Sequence, residues 1–195
     1  SLVFWATAIN YLDRQTLSVV APLLIDQFKM TNVTYSRVIF AFMLAYTIMN
    51  GVSGPVIDRL GTRFGYALTA AWWSLAAMLH GLANGSWSLG VYRFLLGMGE
   101  AGNWPGGVKV VAEWFPVSER ALASGIFNSG SSVGAILAPP VVVWIVLQFG
   151  WRAAFVFLGP GLSQPAPAPR PTATRTVRAT APLPTIPPAT PTVMS

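Results

Sequence analysis

Three stretches of this chain contain no Asp, Glu, Lys or Arg: Val38–Ile57 over 20 residues, Phe64–Tyr92 over 29 and Ala121–Trp151 over 31. A helix needs about 20 predominantly apolar residues to cross the hydrocarbon of a bilayer. Each stretch therefore supplies one crossing and part of a loop. Only 9% of the residues are charged and 53% are hydrophobic, where a soluble domain carries about 25% charge. Such a chain cannot clothe a water-facing surface. The class this predicts is an all-α membrane protein.

Two further crossings must tolerate charge. Leu2–Ile25 holds Asp13 and Arg14, and Ser88–Ala112 holds Arg93 and Glu100. The pattern predicts helices at about 2–25, 36–57, 64–83, 88–112 and 121–147, then the stump of a sixth at 152–162, all in one bundle over 1–162. From Ser163 the text changes to "SQPAPAPRPTATRTVRATAPLPTIPPATPTVMS", in which nine of 33 residues are Pro and none is acidic. The segment 163–195 lacks apolar mass for a core and is expected to be disordered or polyproline-like. It reads either as a genuine tail or as out-of-frame translation, and a switch in the middle of a helix favours the second. The first residue is Ser and no basic region precedes the first apolar run, which reads as a fragment rather than a signal peptide.

The net charge of +6 is no nucleic-acid footprint. Arg170, Arg175 and Arg178 lie in the tail, and most other basic residues sit at predicted helix ends. No cysteine is present, so disulfides and thiolate chemistry are excluded. The sequence has no phosphate-cradling Gly-Lys-Ser loop, metal-ligand cluster or nucleophile elbow, so no cofactor or metal is expected and an enzyme is not the reading. The lone histidine, His80, falls near a predicted span end and is expected at the membrane interface. Some of the eight tryptophans suit an aromatic belt there.

The charges inside predicted spans carry the chemistry. An ionisable residue at the centre of a spanning helix costs about 2.5–3.5 kcal/mol on insertion scales. Arg93 and Glu100 are two turns apart and share a face, continued by Asn103. Asp13 and Arg14 are adjacent, point about 100° apart and must look to other helices or to a wet cavity. Tyr11 precedes Arg14 by three residues and shares its side. These spacings predict a polar centre between the first and fourth helices, lined by Tyr11, Asp13, Arg14, Arg93, Glu100 and Asn103. A guanidinium binds a carboxylate through a planar fork, and a desolvated carboxyl group can carry a proton. An arginine for an anion and a carboxyl for H⁺ are the minimum parts of an anion–proton symporter. A buried ion pair that merely fixes packing is the alternative, and such pairs gain little over apolar replacements.

"GPVIDRLGTRFG", Gly54 to Gly65, joins the second and third spans. A loop this short needs glycine for φ > 0 and close backbone approach. Its pattern G-x-x-x-D-R-x-G-x-R, fitted by Gly54, Asp58, Arg59, Gly61 and Arg63, resembles the loop signature of the major facilitator superfamily. There it lies on the cytoplasmic side and latches helix bundles. Basic residues in the other loops orient the chain only weakly, so this loop sets the orientation. "NYLDR", "RFLLGMGEAGNWP" and "EWFPVSERALASGIFNSGSSVGAILAPP" resemble the anion:cation symporters of the superfamily. Hexuronate and other sugar-acid transporters look nearest, through "FNSGSSVGAILAPP" and the following "VVVWIV".

The resemblance covers about residues 3–162. It implies the amino-terminal six-helix half of a twelve-helix fold in a bacterial inner membrane, multi-pass, moving a small anionic substrate with protons. Its partners would be the bilayer and a carboxy-terminal six-helix half. It also implies roles. Arg14 matches the arginine that holds the substrate carboxylate, with Tyr11 beside it. Asp13 and Glu100 match the proton-coupling acids, and Arg93 the arginine that neutralises Glu100. Tyr46 and Asn50 match cavity-facing positions on the second helix, although packing at a helix seam explains them equally well. Asn128, Ser131 and Ser132 are placed to meet substrate hydroxyls, whereas Gly130, Gly134, Pro139 and Pro140 read as packing and kink residues. Ser131 stands where galactonate-type relatives tend to carry glutamine, which tilts the reading toward hexuronates. Some hexuronate relatives lack an acid at Asp13, so Glu100 is the firmer coupling residue. A transporter of another organic anion, a membrane-embedded enzyme and a scaffold are the alternatives.

Overall fold

The computed structural model describes residues 2–159, and all regular structure within them is helical. The helices are α1 (Leu2–Gln27), α2 (Asn32–Leu60), α3 (Thr62–Leu79), α4 (Ser86–Glu100), α5 (Asn103–Trp114), α6 (Arg120–Phe149) and α7 (Trp151–Leu158). The expected sixth-helix residues 160–162 and the segment 163–195 lie outside the described residues. Among the described helices, α2 and the segment Val117–Phe149 containing α6 are long and apolar enough to cross a membrane on those grounds alone.

The termini of these helices follow from local chemistry. Thr31 caps α2, its Oγ1 accepting from the Thr34 amide at 3.2 Å, as hydroxyl residues do at helix starts. Gly61 alone separates α2 from α3, and its φ of 79° is the left-handed turn that a one-residue reversal demands. Both helices run past the apolar stretches, so Arg37, Asp58, Arg59 and Arg63 belong to helices rather than to loops. Within the same motif, a Cβ added to Gly54 would meet no described atom within 4 Å. Close approach therefore does not explain that glycine.

One expectation fails. The span 88–112 is not continuous but breaks into α4 and α5 at Ala101 and Gly102. The cause is Pro105, which has no amide hydrogen to give the carbonyl four residues before it. That carbonyl belongs to Ala101, and it accepts from the Ser53 hydroxyl of α2 at 3.3 Å instead.

Neighbouring helices settle into pairs, α1 along α6 and α2 along α4, with α3 against α4 and α7 lodged among α1, α3 and α6. Small residues permit the approach. A Cβ on Gly130 would lie 2.5 Å from the Phe4 carbonyl oxygen, and one on Gly97 2.5 Å from that of Phe42. Two apolar clusters result. One gathers Leu17, Val20, Leu24, Leu89, Val142 and Phe155, and the other Ala6, Phe42, Tyr66, Trp73 and Leu96. On α1 the gap between the clusters is occupied by Asn10, Asp13 and Arg14, and on α4 by Arg93.

His80 lies at the end of α3, turned into the protein. It is completely buried, stacked on Phe155 at 5.0 Å, with Nδ1 at 2.8 Å from the Ala76 carbonyl oxygen. The first turn of α7 covers it. Arg152 there donates to the carbonyls of Gly81 and Ala83 at 3.1 and 3.0 Å, and Trp151 donates to Gln27 at 2.6 Å.

Candidate functional site

The layer between the two clusters brings α1 and α4 together through charge. Arg14 donates from Nε at 3.0 Å and from Nη2 at 2.8 Å to one oxygen of Glu100, Oε2. The other oxygen, Oε1, is buried without a hydrogen bond. Arg14 keeps 28% of its side chain accessible, whereas Glu100 keeps none. Nη1 makes no hydrogen bond to Glu100. The pair thus has a sealed side, held by the carboxylate, and an open side, presented by the guanidinium.

Three aromatic rings surround that guanidinium. Its Cζ lies 4.9 Å from the ring centre of Tyr46, 5.3 Å from Phe42 and 5.4 Å from Tyr11. A cation over the face of a ring is attracted by the ring's quadrupole. The rings also fix the direction of the planar fork. Phe42 and Tyr46 are one turn apart on α2 and stack at 5.7 Å. Phe42 holds a second cation as well, its centre 5.8 Å from Cζ of Arg93. Sequence reasoning selects Tyr11 and Tyr46 but misses Phe42. The available signal is its place one turn before Tyr46, which an apolar side chain does not advertise.

Arg93 lies within Coulombic reach of Glu100 but makes no hydrogen bond to it. It is buried, and its Nε and Nη2 have no hydrogen-bond partner among the described residues. Glu100 instead takes the fork of Arg14, because Arg14 reaches it from the facing helix while Arg93 sits two turns away on the same helix. Asp13 is buried, with Oδ2 unpartnered, and lies within Coulombic reach of Glu100 and Arg93. Asn10 and Thr7, one and two turns before Asp13 on α1, are buried too and each keeps an unpartnered atom. Buried polar groups are nearly always satisfied. This concentration of buried polar atoms in one layer makes it the candidate site.

The remaining selected residues stand apart. Asn103 is drawn to α3 and accepts from the Tyr66 hydroxyl at 2.7 Å. Asn50, Asn128 and Ser132 are exposed, and the Ser131 hydroxyl donates to the Asn128 carbonyl of its own helix at 2.6 Å. None of these four residues makes a hydrogen bond to the charged layer. At the α2–α3 turn, Asp58 accepts from Lys109 of α5 at 2.6 Å, while the Thr62 hydroxyl donates to Glu113 at 2.6 Å. Arg59 and Arg63 are exposed. The loop motif therefore grips α5 through Asp58 and Thr62. Lys109 and Glu113 complete that grip, and their i, i+4 spacing is the only hint the sequence offers.

Comparison with known proteins places this architecture. Residues 3–162 match the Major Facilitator Superfamily. The hexuronate transporter of Escherichia coli (strain K12) is 43% identical over 160 residues, which are 82% of this chain and 37% of that protein. The galacturonate transporter of Dickeya chrysanthemi is 44% identical over 158 residues, 81% of this chain and 46% of that one. This chain thus spans less than half the length of either relative. Among solved structures, a bacterial homolog of the human lysosomal transporter Spinster, inward-facing and unoccupied, superposes with a TM-score of 0.71 at 25% identity, over 82% of this chain and 39% of that one. Relatives and fold alike are those of transporters rather than enzymes, and the chain is a membrane protein belonging to the Major Facilitator Superfamily.

Proposed function

We propose that this chain forms the amino-terminal half of a multi-pass, proton-coupled symporter that carries a hexuronate or similar sugar acid across a bacterial cell membrane. The observation that carries the reading is the Arg14–Glu100 pair, closed on the acid side and open on the guanidinium side. A sugar acid brings one carboxylate and several hydroxyls. The carboxylate approaches Arg14 from its open side, between Tyr11 and Tyr46, and competes with Glu100 for the guanidinium. Asn50, Asn128, Ser131 and Ser132 are the polar side chains offered to the hydroxyls. The names of the hexuronate and galacturonate relatives support this substrate class.

Coupling follows from competition for one cation. Arg14 spends two N–H groups on Glu100. A substrate carboxylate that takes the same fork leaves Glu100 as an uncompensated buried charge, which is costly until the acid binds a proton. Substrate and H⁺ therefore enter together. Asp13 is the second acid in reach, and Arg93 keeps the layer's charge near balance while the exchange occurs. Transporters of this kind bind near midplane between two halves that rock about the site. The missing partner is then a carboxy-terminal six-helix half, and the loop of Gly54, Asp58, Arg59, Gly61 and Arg63 is the latch on the cytoplasmic side.

The test uses proteoliposomes of the whole transporter that carries this half. Glu100→Gln should keep counterflow exchange of labelled glucuronate while proton-driven accumulation disappears, and accumulation at the unmodified level would refute the coupling role. Arg14→Lys should cripple binding, because an ammonium lacks the planar fork. Glucuronate binding that survives Arg14→Lys unchanged would sink the substrate assignment.

A further inference from the structure

A groove of about 410 Å³ runs between α2 and α4, on a face that takes no part in the charged layer. It changes character along its length. At the end where both helices begin, Thr34, Arg37, Ser86 and Trp87 line it. One to two turns deeper the walls are Val38, Ala41, Val91 and Phe94. Gly90 forms part of the floor, where an added Cβ would meet only Val38, at 4.0 Å.

Charge distinguishes this groove from an ordinary helix seam. Arg37 is exposed and forms no ion pair or hydrogen bond with any described residue. The other cations of that end are engaged, Lys29 with Asp26 and Arg152 with backbone carbonyls. No acidic side chain lines the groove. Trp87 is 84% exposed beside Arg37, and an indole next to a basic residue marks the headgroup level of a membrane protein. A cation with hydroxyls at the rim and a hydrocarbon slot beneath has the polarity of an anionic amphiphile. An arginine close to a membrane surface attracts anionic lipid heads.

We infer that this groove holds one anionic phospholipid, its phosphate against Arg37 and the hydroxyls of Thr34 and Ser86, one acyl chain along Val38, Val91 and Phe94. The site rests on the chain being a membrane protein and is independent of what the transporter carries.

Native mass spectrometry of the chain in mild detergent tests it, with phosphatidylglycerol and phosphatidylcholine of identical acyl chains supplied in turn. The expected result is retention of phosphatidylglycerol about five-fold over phosphatidylcholine. Arg37→Ala should bring the two lipids level, and Gly90→Leu, which fills the floor without striking backbone, should lower retention of both. Arg63→Ala, a change at an exposed arginine of the opposite end, should leave the preference intact. Equal retention of the two lipids by the unmodified chain would overturn the proposal. So would an Arg37-dependent adduct of inorganic phosphate that Gly90→Leu leaves unchanged, since the site would then take a free anion. Dimers abolished by both variants would overturn it as well, by assigning the face to a second copy of the chain.

Discussion

Two carboxylates in this chain meet a cation at nearly the same distance and in opposite surroundings. Glu100 receives Arg14 at 2.8 Å with no accessible surface of its own, and Asp58 receives Lys109 at 2.6 Å with 68% of its side chain open. An exposed pair is worth about 0–1 kcal/mol, because water and salt already solvate both ions. A buried pair gains little over apolar side chains, yet removing one partner costs about 3–5 kcal/mol. Distance alone therefore says nothing about what either pair is for. The buried one adds little to stability yet is costly to break, whereas the exposed one is a weak clasp.

The largest expected effect breaks the buried pair. Arg14→Gln should destabilise the bundle by about 3–5 kcal/mol in a detergent denaturation series, since Glu100 loses both N–H donors. Gly97→Ala comes next. Its new Cβ would fall 2.5 Å from the Phe42 carbonyl oxygen and 3.2 Å from the Tyr46 amide, and the strain should cost about 1–3 kcal/mol by the same measurement. That variant should also weaken glucuronate binding by the whole transporter, because it pushes two rings of the cage away from Arg14. Phe42→Leu should lose about 1 kcal/mol of cation–π attraction over two guanidiniums, with Phe42→Tyr restoring most of it. A leucine variant as stable as the tyrosine variant would show the ring face to be irrelevant. Asp58→Asn should move the denaturation midpoint least, by less than about 1 kcal/mol, and any effect should vanish between about 0.05 and 1 M salt. Arg14→Gln should keep its full cost across that range. Equal salt sensitivity of the two variants would erase the contrast between the pairs.

The sequence made the helices legible because charge-free stretches of bilayer length have few other solutions. It also made the charged layer legible, since Asp13, Arg14, Arg93 and Glu100 stand where charge is expensive. What stayed hidden depends on how helices face one another. Spacing puts Arg93 on the face of Glu100, but only the approach of α1 decides that Arg14 takes the carboxylate. Phe42 looks like any apolar residue of a spanning helix until two cations are seen on its ring. His80 was legible as polar and near a span end, yet its burial depends on α7 folding over it. The break at Ala101 and Gly102 was readable from Pro105, whose missing donor must free one carbonyl.

That freed carbonyl has a mechanical consequence. Along an intact rod, tilting one end against the other strains a ladder of backbone bonds. Here one rung of that ladder is missing, and the Ala101 carbonyl is held by a hydroxyl of the neighbouring α2 instead. The junction falls one residue beyond Glu100, so a swivel at that point reaches the carboxylate before anything else.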